Sequence, residues 1–378
     1  MREVSRTPVV IYLPGSTLQE RESLEWFKCR TATKLPGSFQ SHFWSIVLHQ
    51  ASLNETAILE AVLALSSVHR GGHFSRQSCG IDYERAALRH YVRAINDLQP
   101  HFTDRSKSSC RIALIACILF INLELLRGYF QTANTHLNNG IRILQDMYFI
   151  SKGLDGIFRD IPGLGLTDTW IVETFARFQL QSEVLRCGCQ HELLLLELTQ
   201  WTAFGRGHGT FTSLKQAWEA LTPLFNQILR VISVARDHTY QHFDCQTCEE
   251  LLRVQHSVQE GLIWWYETAE ALQQRMVGEE GRAFHLLMTY HTLANIMAET
   301  ALQPNDELVY DTHTAKFRKL IQQLTHLHDI SSDHSGSKAP RDRAVDMETS
   351  ITDFGCMYKY PKGYNSFLVI RSQRDNVW

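Results

Sequence analysis

The stretch SSCRIALIACILFINLELLRG, Ser108 to Gly128, decides the fold. Its apolar run is unbroken from Ile112 to Ile121 and extends weakly to Leu126 across Asn122 and Glu124. A membrane span needs roughly 20 apolar residues, so the run reads as a helix buried in a protein core. Ser108 or Ser109 supplies the hydroxyl that caps its start, and Gly128 interrupts it.

Working outward, the same periodicity recurs on both sides. Before the run, Ile58, Val62 and Leu65 share one helical face behind an Asn54 N-cap, with Ala61, Ala64 and Val68 beside them. Gly71-Gly72 is expected to break or end that helix. Leu88, Tyr91, Ile95 and Leu98 form the next apolar stripe, which Pro100 is expected to close. After the run, Ala133, Leu137, Gly140 or Ile141, and Leu144 form another. Ala87, Tyr91 and Ala94 match Ala133, Leu137 and Gly140 in relative position. Small, large, small at helical spacing lets two helices approach closely and interlock.

Gly153 to Leu166 reads as a loop, and Thr167 as the cap of a helix through Ile171, Phe175, Phe178 and Leu185. Phe204 to Gly209 is a second break. Ser213 opens a helix through Ala217, Leu221, Leu224 and Ile228, followed by helices over 249–276, 279–302 and 306–328. Strand-type alternation is nearly absent before residue 350. Short connections favour antiparallel neighbours. The expected fold class is all-α: antiparallel helical hairpins packed as a large bundle or a solenoid-like array.

The composition fits a protein with a sizeable core: 44% hydrophobic and 20% charged over 378 residues. A net charge of -3 and a pI near 6.6 argue against bare DNA binding, because each phosphate contact needs a Lys or Arg. Nine cysteines are dispersed along the chain. With an odd count and no basic-then-apolar leader, a reducing compartment and a soluble protein are expected.

Several constellations invite a chemical reading. His238, His242, Cys245 and Cys248 have zinc-ligand types and chelating spacing. Four ligands within so short a segment would only staple a helix end, whereas structural zinc ties separated backbone together, so a metal is not expected there. Cys187 and Cys189 lack the two-residue spacer of a redox or zinc pair, and Cys110 and Cys117 sit among apolar residues as small hydrophobes. Glu124 is the one carboxylate that reads as buried. Arg127, three residues on, is placed to pair with it rather than leave it as an acid or base. Trp264, Trp265 and Tyr266 read as core before they read as a ligand wall. His69 and His73 lie four apart, but with Gly71-Gly72 between them a rigid shared face is doubtful. The Walker loop, the nucleophile elbow, the dinucleotide fingerprint and His-Glu-x-x-His are all absent from the sequence. No catalytic, cofactor-binding or metal-ligating residue is therefore assigned, and no cofactor is expected.

The words along these helices resemble the regulatory domain of fungal binuclear-zinc-cluster transcription factors. The resemblance runs from Glu20-Arg21-Glu22-Ser23-Leu24-Glu25-Trp26-Phe27, through Leu35 to Phe39 and Phe43-Trp44, to Glu60 through His69 and Tyr91 through Ile95. It is strongest over Ala113 to Phe120, Glu124 to Gly128, and Ala133 to Leu144. Arg177-Phe178-Gln179-Leu180-Gln181 and Phe211 to Ala217 follow as later landmarks. The ordered set covers roughly 20–302. Each word alone is also a sound amphipathic helix.

The resemblance implies a nuclear, helical domain that modulates transcription, sometimes in response to a small molecule and often in specialised metabolism; a cytoplasmic location stays open. The family's DNA-binding head needs six closely spaced thiolates. Here Cys29 and Cys79 are the first two cysteines, so no such cluster can be built from this sequence. Autonomous DNA binding is not expected. The expected partners are another regulator or the transcription machinery, with a small-molecule ligand and a homo- or heterodimer also open, and no membrane. The implied organisation is an N-terminal extension (1–19), a helical regulatory domain (20–328), a flexible linker (329–350) and an irregular tail (351–378). In that tail Ile351-Thr352-Asp353-Phe354-Gly355 resembles the start of the family's closing motif, cut short. Two readings compete with this one. One is a helical domain repurposed as a small-molecule-binding protein or enzyme of a biosynthetic pathway; the other is a truncated product without function.

Overall fold

The computed structural model describes residues 17–35, 41–74, 80–104, 106–155, 166–184, 210–238, 245–273, 275–276, 278–304 and 306–333. Among these, every regular element is a helix. Helix α1 (Leu18–Trp26) opens on a capping box: the Thr17 hydroxyl accepts from the Glu20 amide, and the Thr17 amide donates to the Glu20 carboxylate at 2.7 Å. It continues through a π-helical turn, Phe27–Thr31, into Ala32–Lys34. A second π-turn, Phe43–Val47, leads into α2 (Leu48–Asn54). Then come α3 (Thr56–Phe74), α4 (Gly80–Thr103), α5 (Lys107–Arg127), α6 (Phe130–Asp155) and α7 (Leu166–Val184). The second half holds α8 (Leu214–His238), α9 (Cys245–Gln273), α10 (Glu279–Thr300), a 3-10 turn (Glu307–His313) and α11 (Thr314–Asp333).

Helix α5 is the centre of the first half. Ile112 to Ala116 and Ile118 to Glu124 are all buried, and α3, α4, α6 and α7 pack around it. Burial of 1.5–3 kcal/mol per large apolar side chain, by order of magnitude, makes this surround the main source of its stability. By length and composition α5 could cross a membrane; its place is the middle of a protein core. Gly128 ends it in the left-handed conformation, φ 81°. Its amide reaches the Leu125 carbonyl at 3.1 Å and the Tyr129 amide reaches that of Glu124 at 2.8 Å, closing a Schellman motif.

Helices α3 and α4 form an antiparallel hairpin, since Gly71 lies against Tyr83 while Glu60 meets His90. Here the structure corrects the expectation that Gly71-Gly72 ends α3. The helix runs through both glycines to Phe74, and a Cβ on Gly71 would stand 3.0 Å from that of Tyr83. The residue is small because α4 approaches closely, not because the chain turns. Pro100 also lies inside the last turn of α4 rather than closing it.

Two large apolar cores result. The first runs from Leu24 to Phe178 and the second from Leu180 to Ala298. In the second, α8, α9 and α10 pack on one another, and α11 covers α10. Helix α7 belongs to both: Phe178 enters one core and Leu180 the other. The outcome is a bundle of antiparallel hairpins. Its last helix extends to Asp333, past the 328/329 boundary read from sequence.

Candidate functional site

The polar side chains inside the first core converge where α4, α5 and α6 meet. Glu124, 2% exposed, receives Arg127 Nη1 at 3.3 and 3.2 Å on its two oxygens. The same guanidinium donates from Nε and Nη2 to Glu84 of α4 at 3.1 and 2.9 Å, and stacks over Tyr129 at 4.7 Å. The Tyr91 hydroxyl stands beside the Glu124 carboxylate and lies 2.9 Å from His136 Nε2. Burial raises the Glu124 carboxyl above its ordinary range, with Arg127 and Tyr91 pulling the other way. Burial and the neighbouring carboxylate push Tyr91 up to about 12, and burial lowers His136. Every charge here faces a partner, which is how a core tolerates ions.

A second cluster lies between α1 and α3. The His69 Nδ1 edge meets the Thr31 hydroxyl at 2.9 Å and the Trp26 indole N–H at 3.4 Å. Arg70 donates to Glu22 at 2.9 Å and sits over Trp26 and Tyr83 at 6.0 and 5.2 Å. Ser66 reaches back to the Ser23 carbonyl. The backbone from His69 to His73 is one continuous helix, while the His73 side chain lies outside the described residues.

In the second core, Trp265 is fully buried and donates to the Ala217 carbonyl at 2.7 Å, tying α9 to α8. His291 of α10 stacks on it, 5.1 Å between centroids at 15°, and donates from Nε2 to the Leu262 carbonyl at 2.9 Å. Burial lowers His291 to about 4, and Lys319 and Lys316 act in the same direction. It is a neutral wedge between helices. Trp264 is only partly buried and packs edge-on to Phe211 at 5.7 Å. Trp265 and His291 therefore form core, not the wall of a ligand site.

Of the His238, His242, Cys245 and Cys248 set, Cys248 is exposed, and the other three side chains lie outside the described residues, as do Cys187 and Cys189. Among the described residues no three His, Cys, Asp or Glu side chains gather to hold a metal ion. Burial raises Cys117 to about 12, which keeps it a thiol. Sequence reading found Glu124 and Arg127 because they lie three apart on one helix. It missed Tyr91, His136, Glu84 and His291 as members of these clusters; they arrive from other helices, 29 to 45 residues away from a partner, and no local spacing marks them. What these clusters do chemically is fix how helices cross.

The comparisons with known proteins bear on the same helices. The family model described as fungal specific transcription factor domain matches residues 28–253, from the first π-turn into α9. The aspercryptin biosynthesis cluster-specific transcription regulator of Emericella nidulans is 26% identical over 220 residues, 57% of this chain and 34% of its own length. The transcription regulator lscL of Purpureocillium lilacinum is 26% identical over 141 residues, 34% of this chain and 33% of its own. The chain thus spans about a third of the length of the curated relatives it matches. No solved structure matches it.

Proposed function

The chain belongs to the fungal specific transcription factor domain family, and from that premise we propose that it regulates transcription of biosynthetic genes in the nucleus through a protein partner. The observation that carries the reading is the family match from the first π-turn into α9, joined to two relatives that are named transcription regulators, one of them specific to a biosynthesis cluster. The electrostatics support a partner rather than direct base contact. The net charge is -3, and the half-buried Arg127 at the C-terminal end of α5 is paired with Glu124 and Glu84.

The test has two arms. Deleting the gene in its host is expected to change transcript levels of a biosynthetic gene set several-fold. Unchanged transcripts with an accumulated pathway intermediate would overturn the proposal in favour of an enzyme. In the second arm, the pure chain at about 0.15 M salt, where non-specific phosphate binding is already weakened, is expected to leave promoter DNA unshifted. Sequence-selective retardation by the chain alone would remove the need for a partner.

A further inference from the structure

The outer side of α4 carries a seam at coiled-coil spacing. Leu88, Val92, Ile95, Gln99 and Phe102 follow one another at steps of four, three, four and three residues, the pattern that keeps one helix edge turned to a neighbour. Inside a core that edge would be covered. Here Leu88, Val92 and Phe102 are 41%, 56% and 56% exposed, Gln99 is exposed, and Ile95 is half-buried with its inner side against the first core. The seam is about 21 Å long. Tyr129, itself exposed, stands at its N-terminal end: the Arg127 guanidinium on which it stacks also holds Glu84, four residues before Leu88.

One edge of the seam is basic. Arg85 lies three residues before Leu88 and Arg89 three before Val92, so a row of guanidinium groups, continued by Arg93, runs alongside the aliphatic one. Arg85 has Asp82 at 3.8 Å, and Arg93 has Glu20 and Glu60 at 3.7 and 3.9 Å. These pairs are long and solvent-facing, and they leave each group open to a further carboxylate. Arg89 is exposed and has no ion pair among the described residues. Glu84, the carboxylate at the end of the seam, is held by Arg127.

We infer that the α4 seam docks an amphipathic helix of another protein, one with leucine-type side chains at the same spacing and a row of carboxylates beside them. The spacing calls for a helix, because a partner rising about 5.4 Å per turn meets Leu88, Val92, Ile95 and Phe102 in register. An extended strand, repeating every two residues, does not. The arginine row calls for acid on that helix. A nucleic-acid backbone would satisfy the arginines and leave the seam without apolar cover. One helix face is smaller than a standard interface, so the complex is weak and reversible, with charge setting its register and on-rate. The inference rests on the reading of a regulator that works through a partner, and it supplies that partner's chemistry.

The probe is a fluorescent synthetic helix of about three heptads, with leucine at the seam positions and glutamate beside them, titrated with the full chain; a twin carries lysine in place of glutamate. The glutamate helix is expected to bind saturably, about tenfold or more tighter than its lysine twin, and to weaken as salt rises. L88Q/V92Q and R85E/R89E are each expected to lose about tenfold or more in affinity, with unchanged helical circular dichroism. R85E/R89E should also transfer its preference to the lysine helix. L252Q/I263Q, which removes exposed aliphatic side chains of α9, should bind as the parent does. No saturable binding, equal binding of the two helices, or an equal loss in L252Q/I263Q would overturn the inference. Undiminished binding by L88Q/V92Q would do so too, because the arginines would then take any polyanion, nucleic acid included. A two-chain species in sedimentation of the chain alone, dissociated by R85E/R89E, would give the face to a second copy instead. Binding is read on the pure chain and the transcriptional proposal on transcripts of a deletion strain, so either can fail without the other.

Discussion

At Gly140 of α6 an added Cβ would stand 2.2 and 2.3 Å from Cε1 and Cζ of the Phe175 ring. Phe175 is fully buried, so the ring has nowhere to swing. Gly140→Ala should therefore lose about 1–3 kcal/mol to overpacking, despite alanine's better helix propensity. Urea unfolding of G140A and of the G140A/F175L double variant checks this. The second substitution should return part of the loss, and a G140A variant as stable as the parent would show that the helices slide apart freely.

His291 provides a residue-scale pH dependence. Its folded pKa of about 4 lies below its ordinary value of 6.5, so the unfolded chain binds the proton more readily. The sign follows from linkage: the contribution is full above pH 6.5 and is lost as pH falls towards 4. Two and a half pKa units set its limit at about 3 kcal/mol. Stability measured by urea from pH 7 to 4.5 should fall. In His291→Gln, whose amide can still donate to the Leu262 carbonyl, that fall should be smaller by this one group. An equal fall in both proteins would assign the titration elsewhere.

At the scale of elements, the Glu124–Arg127–Glu84 bridge joins α5 to α4, and its removal should be sharply asymmetric. Arg127→Met strands a carboxylate that is 2% exposed and should cost about 3–5 kcal/mol. Adding Glu124→Gln removes the stranded charge and should recover most of it, read as a coupling in a double-mutant cycle of thermal or urea unfolding. Additive losses would mean that the pair does not act as a unit. The same elements show what was legible in sequence. Helix α5 was clear because an apolar run needs no partner to declare itself. Its cap was not: Ser106, not Ser108 or Ser109, caps the helix, because Asp104 gathers the Ser106 amide and both the Ser106 and Ser109 hydroxyls. Likewise Glu55, not Asn54, is the extended residue before α3. Gly71 read as punctuation because one chain does not announce which helix will press on it. Tyr91 read as an ordinary member of an apolar stripe for the same reason.

At the scale of the whole molecule, two cores meet through one helix, and the residue between them is a polar one. Gln179 lies between Phe178 of the first core and Leu180 of the second. It is 2% exposed, and among the described residues neither its Oε1 nor its Nε2 has a hydrogen-bond partner. A buried amide left without partners costs about 1–3 kcal/mol. Gln179→Met keeps the length and flexibility of the side chain while removing both polar atoms, so it should raise stability by up to about that amount. Its position makes the same substitution a probe of how the two halves are coupled. Trp26 and Trp44 report on the first half, and Trp264 and Trp265 on the second. If α7 transmits stability between the cores, single-tryptophan versions from both halves should unfold at one urea midpoint, and Q179M should shift both together. Separate midpoints, with only one moved, would show that the halves unfold independently and that α7 is a tether rather than a shared element. A shift of neither would mean that the amide is already satisfied, and the stabilisation argument would fail with it.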